Sequence, residues 1–318
     1  MTELGLYGVY QVKLPLPFSL NHVNCYAFPG DTGWVLLDTG LNDGPTRQTW
    51  TRFMAEHGIQ PADITGIYLT HYHPDHYGAA GWLQEMSGAL VYMSDAEISL
   101  AKKIWRDETA ALLVEMLSEN GVPAEIGSQI MAGVAEMRTR IKPHPRLTPL
   151  SAGEAVHLGA LRCRVMLTPG HSDGHICFYD EENGLLFSGD HLLPRISSNI
   201  SLWPQSHPDP LDNFLTSLAE TCRLQASLVL PAHGEYFAGV PQRVAELQSH
   251  HRERLELIRQ IASRRATAYQ VCREVFGDGL SLPEVRFALT ETLAHLVYLE
   301  KRGQLEVEKI NGVYFYSA

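Results

Sequence analysis

The sequence predicts an α+β protein in which two stacked β-sheets lie between layers of helices. Short apolar runs bounded by turn residues recur in two similar halves of the chain, with amphipathic helices between them. Four of the predicted strands lead into segments that carry histidine or aspartate, as expected for functional residues held at a sheet edge. The chain has 318 residues, 45% of them hydrophobic, which is enough to bury a core of this kind.

The two halves share an alternation of strands and helices. In the first half we expect strands at residues 6–14, 23–28, 34–38, 64–70 and 90–93 and helices at 45–57 and 79–86. In the second half we expect strands at residues 155–157, 162–167, 175–179, 185–188 and 227–230 and a helix at 210–223. This alternation is why the helices are placed outside the two sheets.

A helical segment separates the two halves. Residues 95–141 contain a single proline, Pro123, and are rich in alanine, glutamate, leucine and methionine. They predict three helices with breaks near Asp107 and at Asn120-Gly121. We therefore assign residues 1–240 to one domain that contains a helical insert at 95–141.

Residues 241–318 predict a C-terminal domain of three helices followed by a β-hairpin. The helices are expected at 244–265, 268–276 and 284–302, and the hairpin turns at Asn311-Gly312. Helices followed by a hairpin resemble a winged helix. The domain either binds DNA or packs on the body or on a second subunit of a homodimer. Its near-zero charge favours packing.

The charge of the chain is unevenly distributed. Residues 1–240 carry 14 Lys+Arg and 26 Asp+Glu, a net charge of −12, whereas residues 241–318 carry 11 and 10, a net charge of +1. An acidic body argues against a surface that grips nucleic acid, and we expect a small-molecule substrate instead.

Several classes of protein are excluded by composition. No apolar run approaches the roughly 18 residues that a membrane helix needs. The N-terminus lacks the basic start and apolar run of a signal peptide. The five cysteines are scattered and form no Cys-x-x-Cys pair, which argues against a cysteine zinc site and a disulfide framework. We expect a cytoplasmic protein without a membrane segment.

The sharpest signal is a histidine cluster after a buried strand. The run Thr70-His71-Tyr72-His73-Pro74-Asp75-His76 lies where the predicted strand 64–70 ends. On an extended backbone, residues i and i+2 point the same way, so His71 and His73 can grip one ion together. Asp75 and His76 follow a turn imposed by Pro74, which frees them to face a neighbouring position.

Three further segments carry histidine or aspartate at the ends of predicted strands. They are Thr168-Pro-Gly-His171, Ser188-Gly-Asp190-His191 and Leu230-Pro-Ala-His233-Gly234. Their glycines permit tight turns that aim the neighbouring side chains away from the sheet edge. All four loops can therefore converge on one rim of the molecule.

This combination resembles the metallo-β-lactamase superfamily, specifically the hydrolase branch that includes glyoxalase II, quorum-signal lactonases and lactamase-β-2-like proteins. The resemblance covers residues 20–235, where the motif Val35-Leu-Leu-Asp38-Thr-Gly40 and the four histidine or aspartate segments stand in the family order. It implies a four-layer αββα metallo-β-lactamase sandwich with two metal ions at one edge. In that case His71, His73 and His171 hold the first ion, Asp75, His76 and His233 hold the second, and Asp190 bridges both.

The residue types suit this chemistry. Imidazole and carboxylate ligands fit two divalent metal ions, with zinc favoured and iron or manganese as alternatives. Two ions about 3.5–4 Å apart share a water and lower its pKa towards neutrality, which gives a bridging hydroxide that attacks a carbonyl. We therefore expect a metallo-hydrolase that cleaves a thioester, an ester or a lactone. Asp75 is expected to act in catalysis by passing protons, provided that it keeps a free oxygen.

Residues around the cluster are assigned by their position. Asp38 is expected to anchor the metal loops from behind the ligands, and His175 to lie in the core or support a ligand. His191, Asn199, Trp203 and His207 are pocket candidates, although their loop is as easily explained by packing under the helix at 210–223. Trp105, Met116 and Met131 either cap an apolar pocket or form the core of the insert.

Other activities remain as alternatives. The tail resembles that of lactamase-β-2-like proteins, so cleavage of RNA phosphodiester bonds is one alternative. A mononuclear-iron persulfide dioxygenase, which uses the same fold, is another. A binding protein that kept its metals is a non-enzymatic alternative. The diiron oxygen reductases place glutamate at the second motif position, so His73 argues against them. β-Lactam hydrolysis is disfavoured because no export signal is present and the insert and tail are foreign to such secreted enzymes.

Overall fold

The first β-sheet has six strands. In the computed structural model, which describes residues 3–18, 20–105 and 107–318, these strands are β1 (Tyr10–Pro15), β2 (His22–Gly30), β3 (Gly33–Leu37), β4 (Ile64–Tyr68), β5 (Leu90–Ser94) and β6 (Leu147–Leu150). They lie side by side in chain order. The first three are antiparallel and β3 to β6 are parallel.

The second sheet has five strands. They are β7 (Ala155–Leu158), β8 (Leu161–Leu167), β9 (Ile176–Asp180), β10 (Leu185–Gly189) and β11 (Leu228–Pro231), in the spatial order β11-β10-β9-β8-β7. Only β10 and β11 pair in parallel. The alternation of direction gives β8, β10 and β11 the same orientation, so their carboxyl ends lie at one edge.

Ten helices are assigned within the described residues. They are α1 (Gly44–His57), α2 (Pro74–Tyr77), α3 (Ala80–Ser87), α4 (Asp95–Ile104), α5 (Asp107–Glu119), α6 (Ala124–Met137), α7 (Pro210–Thr221), α8 (Val240–Ala262), α9 (Ala268–Phe276) and α10 (Leu282–Lys301). Three short 3₁₀ turns occupy Glu3–Tyr7, Pro61–Asp63 and Arg138–Ile141. None of the helices described here is long and apolar enough to cross a membrane.

The two sheets stack face to face between helical layers, which confirms the predicted αββα sandwich. Tyr26 and Phe28 of β2 pack edge-on against Phe187 of β10, with ring centroids 5.4 and 5.3 Å apart. Helices α1 and α3 bury apolar side chains on the outer face of the first sheet. Helix α7 and the first half of α8 do the same on the second sheet. Burial of these two outer faces and the inner one supplies most of the driving force for folding.

Local sequence signals explain the boundaries of α1. The carboxylate of Asp43 accepts the Thr46 N–H at 3.0 Å and caps the helix, and Pro45 occupies the first turn. Gly58 ends the helix in the left-handed conformation with φ of 67°. The predicted helix at 45–57 is therefore confirmed.

Two strand predictions differ from the structure. The segment predicted as a strand at 6–14 begins in the 3₁₀ turn Glu3–Tyr7, and β1 starts only at Tyr10. Strand β6 is absent from the sequence prediction, because Pro149 within a four-residue run argues against a strand. Proline is tolerated there because β6 lies at the edge of the sheet and pairs with β5 alone.

Two helices of the insert, α5 and α6, share a hydrophobic core with the C-terminal helices. Helix α4 ends at Ile104, α5 begins at Asp107 and ends at Glu119, and α6 begins at Ala124, in agreement with the predicted breaks. Leu117 and Ile130 of the insert lie in the same buried cluster as Leu289 and Leu293 of α10. Ile98 and Ile104 of α4 lie instead in the core of the first sheet. The tail therefore holds α5 and α6, and the sandwich holds α4.

The predicted hairpin is present at the end of the chain. Strands β12 (Glu306–Ile310) and β13 (Val313–Ser317) pair antiparallel. Asn311 and Gly312 form the turn with φ of 49° and 85°, as a two-residue hairpin turn requires. The helices α8 to α10 and this hairpin make up the C-terminal unit. The boundary at residue 240 is a prediction, since α8 begins at Val240 and packs on both the second sheet and the shared core.

Candidate metal centre

Four loops meet at one edge of the sandwich. Strands β3 and β4 are parallel, so Asp38 and the segment 70–76 leave the first sheet side by side. The loops that follow β8, β10 and β11 carry His171, Asp190 and His233. The Ile176 N–H donates to the Thr70 carbonyl at 3.0 Å and ties the second sheet to the histidine cluster.

Three histidine nitrogens form the first group. The Nε2 of His71 lies 3.0 Å from the Nδ1 of His73 and 3.2 Å from the Nε2 of His171. The His73 and His171 nitrogens are 2.8 Å apart. Nitrogens that share a cation at about 2.0–2.1 Å each come this close to one another. The first group is therefore arranged as one face of a metal site.

A second group lies beside the first. The Nε2 of His233 is 3.4 Å from Oδ2 of Asp75, and the Nε2 of His76 is 3.7 Å from the same oxygen. Helix α2 positions two of these residues, because Pro74 begins it and the Asp75 and His76 side chains follow in its first turn. The second group thus joins a short helix to the loop after β11.

Asp190 faces both groups. Its Oδ2 lies 3.4 Å from the Nε2 of His171 in the first group. Its Oδ1 lies 3.4 Å from the Nε2 of His233 and 3.5 Å from the Nε2 of His76 in the second group. One carboxylate oxygen is therefore directed at each group.

The donor set fits divalent cations. The His76 Nε2 and the Asp190 Oδ1 are buried and have no hydrogen-bond partner among the described residues, although burying such atoms unpaired is costly. The potential ligand atoms of His71, His73 and His171 lie within 4.8 Å of one another, as do those of Asp75, His76 and His233. A cation on each side of Asp190 would satisfy the unpaired atoms.

The other ring nitrogens of the histidines are held by acceptors. The Nδ1 of His171 donates to the Asn199 carbonyl at 2.9 Å, and the Nδ1 of His233 donates to the His22 carbonyl at 2.9 Å. The Nδ1 of His71 lies 2.9 Å from the Thr70 hydroxyl. Because a carbonyl can only accept, the lone pair of Nε2 in His171 and His233 faces the centre.

Asp38 lies behind the ligands, at the end of β3. Its carboxylate accepts the Thr70 N–H at 2.8 Å and the Nδ1 proton of His76 at 2.8 Å. The residue is 2% exposed and has a φ of 57°, a conformation that aspartate adopts more readily than most residues. It contacts the segment that carries the ligands without facing the centre itself.

The two groups differ in their proton affinity. Burial and the neighbouring histidines lower the pKa of His71 and His73 well below the usual value. Burial also lowers the pKa of His76 and His233, but nearby carboxylates, Asp190 foremost, outweigh it and raise both values. Without metal, the second group therefore binds protons more readily than the first.

Asp75 keeps an ionised carboxylate. Burial raises its pKa, but His76 and His233 outweigh this and lower the pKa to about 2. The side chain is 21% exposed, and its Oδ2 faces the two histidines. The expected role of Asp75 in proton transfer stays a prediction.

A buried glutamate outside the predicted set joins two ligand loops. Glu97 in α4 accepts the Tyr72 N–H at 2.9 Å through one oxygen. Its other oxygen accepts the Ser172 hydroxyl and the Gly174 N–H, each at 2.7 Å. Burial raises its pKa to about 7 although these hydrogen bonds lower it. Ser94 and Glu97 match the capping-box pattern of a helix start. In the sequence, Glu97 is therefore explained as a helix-capping residue, and its contacts with the two loops are not predicted.

His175 supports Asp190 from the core. It is fully buried, and its Nε2 accepts the Asp190 N–H at 3.2 Å while its Nδ1 lies 2.8 Å from the Thr168 hydroxyl. Gly189 permits this contact, because a Cβ at that position would lie 2.7 Å from the His175 ring. The supporting position agrees with one of the two roles expected for His175.

The predicted pocket residues fall in different places. His191 is 1% exposed and its Nε2 lies 2.8 Å from the Thr221 hydroxyl of α7, so it faces the core rather than a substrate. His207 is exposed, and its N–H donates to Asp173. Asn199 supports His171 through its carbonyl, and partly buried Trp203 packs against the shared core of the insert and tail.

The three candidate cap residues of the insert also separate. Trp105 packs near the centre, with its ring centroid 6.0 Å from that of Tyr72. Met116 and Met131 instead pack on the core that the insert shares with the C-terminal helices. Of the three, only Trp105 lies next to the loop that carries the ligands.

Two family models match the chain. The model described as Metallo-beta-lactamase superfamily covers residues 19–233. The model described as Metallo-beta-lactamase-like, C-terminal domain covers residues 255–318. Together they span the sandwich and most of the tail.

Curated relatives share the whole chain or part of it. The probable metallo-hydrolase YqjP of Bacillus subtilis is 28% identical over 96% of this chain and 97% of its own length. The thioesterase pkgB of Emericella nidulans is 23% identical over 73% of this chain, and the match spans about half of that protein, 51%.

Solved structures agree with the fold over its full length. The metallo-beta-lactamase family protein TTHA1429 of Thermus thermophilus matches with a TM-score of 0.89 and 34% identity, covering 98% of each chain. A beta-lactamase domain protein of Burkholderia ambifaria matches with a TM-score of 0.87 and 31% identity over 98% of this chain and 92% of its own. TTHA1623, solved in a di-iron-bound form, matches with a TM-score of 0.50 and 26% identity over 74% and 98%.

Proposed function

The chain belongs to the metallo-β-lactamase superfamily, and from this we propose that it is a dinuclear metallo-hydrolase that cleaves a thioester, ester or lactone bond of a small molecule. The observation that carries the proposal is the position of Asp190, with one carboxylate oxygen 3.4 Å from His171 and the other 3.4 Å from His233. A single-ion site has no need of a carboxylate directed at two histidine groups.

The proposed ligands follow the two groups. His71, His73 and His171 would hold one divalent ion, Asp75, His76 and His233 the other, and Asp190 both. When bound, such ions supply Lewis acidity and lower the pKa of water towards neutrality. Zinc, iron and manganese all suit these nitrogen and oxygen donors. The di-iron form of TTHA1623 supports a pair of ions in a related fold.

The protein's own side chains orient the site and hold protons. The Nδ1–H groups of His171 and His233 are fixed by backbone carbonyls, so their lone pairs are directed without reorganisation. Asp75 contacts the histidines through Oδ2. Its Oδ1 is therefore the atom we assign to receive a proton from the attacking water and pass it to the leaving group.

A carbonyl substrate is favoured over nucleic acid. The body of the chain carries a net charge of −12 over residues 1–240, which repels a phosphate backbone. The printed names of two relatives, a probable metallo-hydrolase and a thioesterase, support hydrolysis of this kind. RNA cleavage and persulfide oxidation are outcomes that the test must separate.

The test is a substrate panel with purified protein loaded separately with zinc, iron and manganese. We expect turnover of an aryl ester, a thioester or a lactone, and loss of that turnover in Asp75→Asn with metal content retained. Rapid cleavage of bis-p-nitrophenyl phosphate without carbonyl activity would overturn the proposal. So would oxygen uptake on glutathione persulfide with one iron per chain. Asp31→Asn, an exposed aspartate in the turn after β2, is the matched control.

A further inference from the structure

Arg286 is a partly buried cation in the second turn of α10. Its guanidinium carbon lies 4.4 Å from the ring centroid of Phe287 and 5.4 Å from that of Trp203. Among the residues that the structure describes, it forms no ion pair and donates no hydrogen bond. A guanidinium has five N–H donors, and no protein acceptor in the described residues takes up those of Arg286, so they are available to a bound ligand.

The acidic residues near Arg286 along α10 are engaged elsewhere. Glu284 accepts the Ser281 N–H and hydroxyl at 2.8 and 2.6 Å and caps its own helix. Glu291 accepts the Asn199 amide at 3.1 Å. The aromatic contacts stabilise the charge, but they satisfy none of the N–H donors.

The backbone next to Arg286 is linked to the candidate metal centre through Asn199. The Asn199 carbonyl binds the ring of His171, and the Asn199 side-chain amide donates to the Phe287 carbonyl at 3.2 Å. One residue therefore separates a proposed ligand from the backbone next to Arg286. On the other side, Tyr72 stands between His71 and His73 in the sequence and stacks edge-on at 4.7 Å from the His73 ring.

Arg286 and Tyr72 act on each other electrostatically. Burial lowers the pKa of Arg286 to about 10, and Tyr72 acts in the opposite direction. The guanidinium still keeps its charge at neutral pH. Within the described part of the chain, no carboxylate shifts this pKa, in contrast to that of the ion-paired Arg302, which Asp209 and Asp212 raise.

We propose that Arg286 binds an anionic group of the substrate, a carboxylate or a phosphate ester, while the scissile carbonyl lies at the metal centre. The planar guanidinium offers two parallel N–H donors that match either oxyanion. This inference rests on the proposed hydrolase function. It makes the C-terminal unit part of substrate selection, because α10 carries the anion-binding residue and the sandwich carries the metal ligands.

The test compares two esters of similar length, p-nitrophenyl butyrate and the mono-p-nitrophenyl ester of succinate, with the metal-loaded protein. In Arg286→Gln we expect the KM of the anionic ester to rise about 10- to 100-fold, the range for hydrogen bonds to a charged group, and the KM of the neutral ester to stay unchanged. A third ester with a terminal phosphate tells whether phosphate replaces carboxylate. Equal changes for the neutral and anionic esters, or no change, would overturn the inference.

Two controls separate charge recognition from damage to the fold. Arg254→Gln removes a second arginine that lies over an aromatic ring, 4.5 Å from the Phe276 centroid, and should leave both KM values unchanged. Arg286→Lys keeps the charge but loses the paired donors, so we expect an intermediate KM for the anionic ester. The melting temperature of Arg286→Gln should lie within a few degrees of the wild type.

Failure of the hydrolase proposal would be recognised separately. If the wild type cleaves none of the esters, the binding of succinate and of succinamide to the metal-loaded protein is measured by calorimetry. Weaker binding of succinate by Arg286→Gln than by the wild type, with succinamide unaffected, would support the anion site alone. Identical succinate binding by the two proteins would overturn it.

Discussion

Asp38 accepts the Nδ1 proton of His76 across 2.8 Å, from a backbone position with a φ of 57°. The same carboxylate accepts the Thr70 N–H, so one buried anion fixes both the start of the ligand segment and the ring of His76. A histidine oriented in this way presents its Nε2 to a cation without a further loss of rotamer freedom.

Replacing Asp38 should weaken metal binding by the second group. In Asp38→Ala the His76 ring loses its acceptor, and we expect a 10- to 100-fold lower affinity for one of the two ions, the usual range for such supporting contacts. Competition with a chromophoric chelator measures both affinities. Asp31→Ala, in an exposed turn, is the control. Unchanged affinity for both ions would show that Asp38 does not orient His76.

Glu97 should govern the first group in the same way. Its carboxylate joins the Tyr72 N–H to the Ser172 hydroxyl and the Gly174 N–H, so it ties the loop of His71 and His73 to the loop of His171. In Glu97→Ala three buried donors lose their acceptor, each at about 1–3 kcal/mol. We expect lower stability and a changed visible absorption spectrum of the cobalt-substituted first site.

Two further variants show whether the effect of Glu97→Ala comes from the lost hydrogen bonds or from the smaller side chain. Glu97→Gln keeps the shape but places an amide donor against a backbone N–H, so it should fall between the wild type and Glu97→Ala. Asp95→Asn changes an exposed acid in the same turn of α4 and should have no effect. If Glu97→Ala binds cobalt with the wild-type spectrum, the two loops are held by other contacts.

Metal binding should depend on pH differently in the two groups. The pKa values of His71 and His73 are lowered by burial, so these rings are neutral at pH 7 and release few protons to the first ion. The pKa values of His76 and His233 are raised, chiefly by Asp190 against the effect of burial. The second ion must therefore displace protons, and its affinity should increase with pH until the raised pKa values of His76 and His233 are passed, and then level off.

Calorimetric titration in buffers of different ionisation enthalpy counts the protons released. At pH 7 we expect near-zero proton release for one ion, assigned to the first group, and larger release for the other, assigned to the second group, where protons compete with the metal. Between pH 6 and 8 only the affinity of the second group should change strongly. Equal proton release by the two ions would contradict the difference between the groups.

The metal-free protein should lose stability in acid. A histidine whose pKa is lowered in the folded state binds protons more readily when unfolded, so its contribution is complete above about pH 6.5 and is lost as the pH falls below that value. His71, His73 and His175 all have pKa values well below the usual one, mainly through burial. His76 and His233 act in the opposite direction. Urea unfolding at pH 5 and pH 7 measures the net effect on the free energy of unfolding, which we expect to be lower at pH 5.

The core shared by insert and tail gives a prediction about stability. Leu117 of α5 is 2% exposed and packs with the C-terminal helices, so Leu117→Ala should cost about 2–5 kcal/mol. Val114 on the same helix is 51% exposed, and Val114→Ala should cost less than about 0.5 kcal/mol. Denaturant unfolding measures both. A small cost for Leu117→Ala would mean that the insert is not held by the tail.

Much of the fold and several candidate metal-binding residues are predicted by local patterns in the sequence, whereas the division of these residues between two ions was implied by the family resemblance. The strands that carry the site end in short segments with glycine, proline, histidine and aspartate, and the spacing of His71 and His73 on extended backbone predicts their convergence. The four loops that carry histidine and aspartate converge because the strands before them end at the same edge of the sandwich. The family resemblance implied these strand directions. Each of these features lies within a short segment of the chain, so it can be recognised in a single sequence.

The features that the sequence did not reveal depend on contacts between distant segments. Glu97 binds two backbone N–H groups and one hydroxyl, and backbone donors leave no signature in residue type. His191 follows Asp190 directly, yet the turn at Gly189 directs it to Thr221 instead of the centre. The joint core of insert and tail pairs residues more than 150 positions apart, beyond the reach of any periodicity.

The number of divalent ions per chain tests the central claim most directly. Wild type and Asp190→Ala are loaded with zinc, desalted and analysed for metal and protein. We predict two ions per chain in the wild type and one in Asp190→Ala, because the carboxylate directed at both groups is lost. One ion in the wild type, or two ions held with unchanged affinity by Asp190→Ala, would contradict a centre bridged by Asp190.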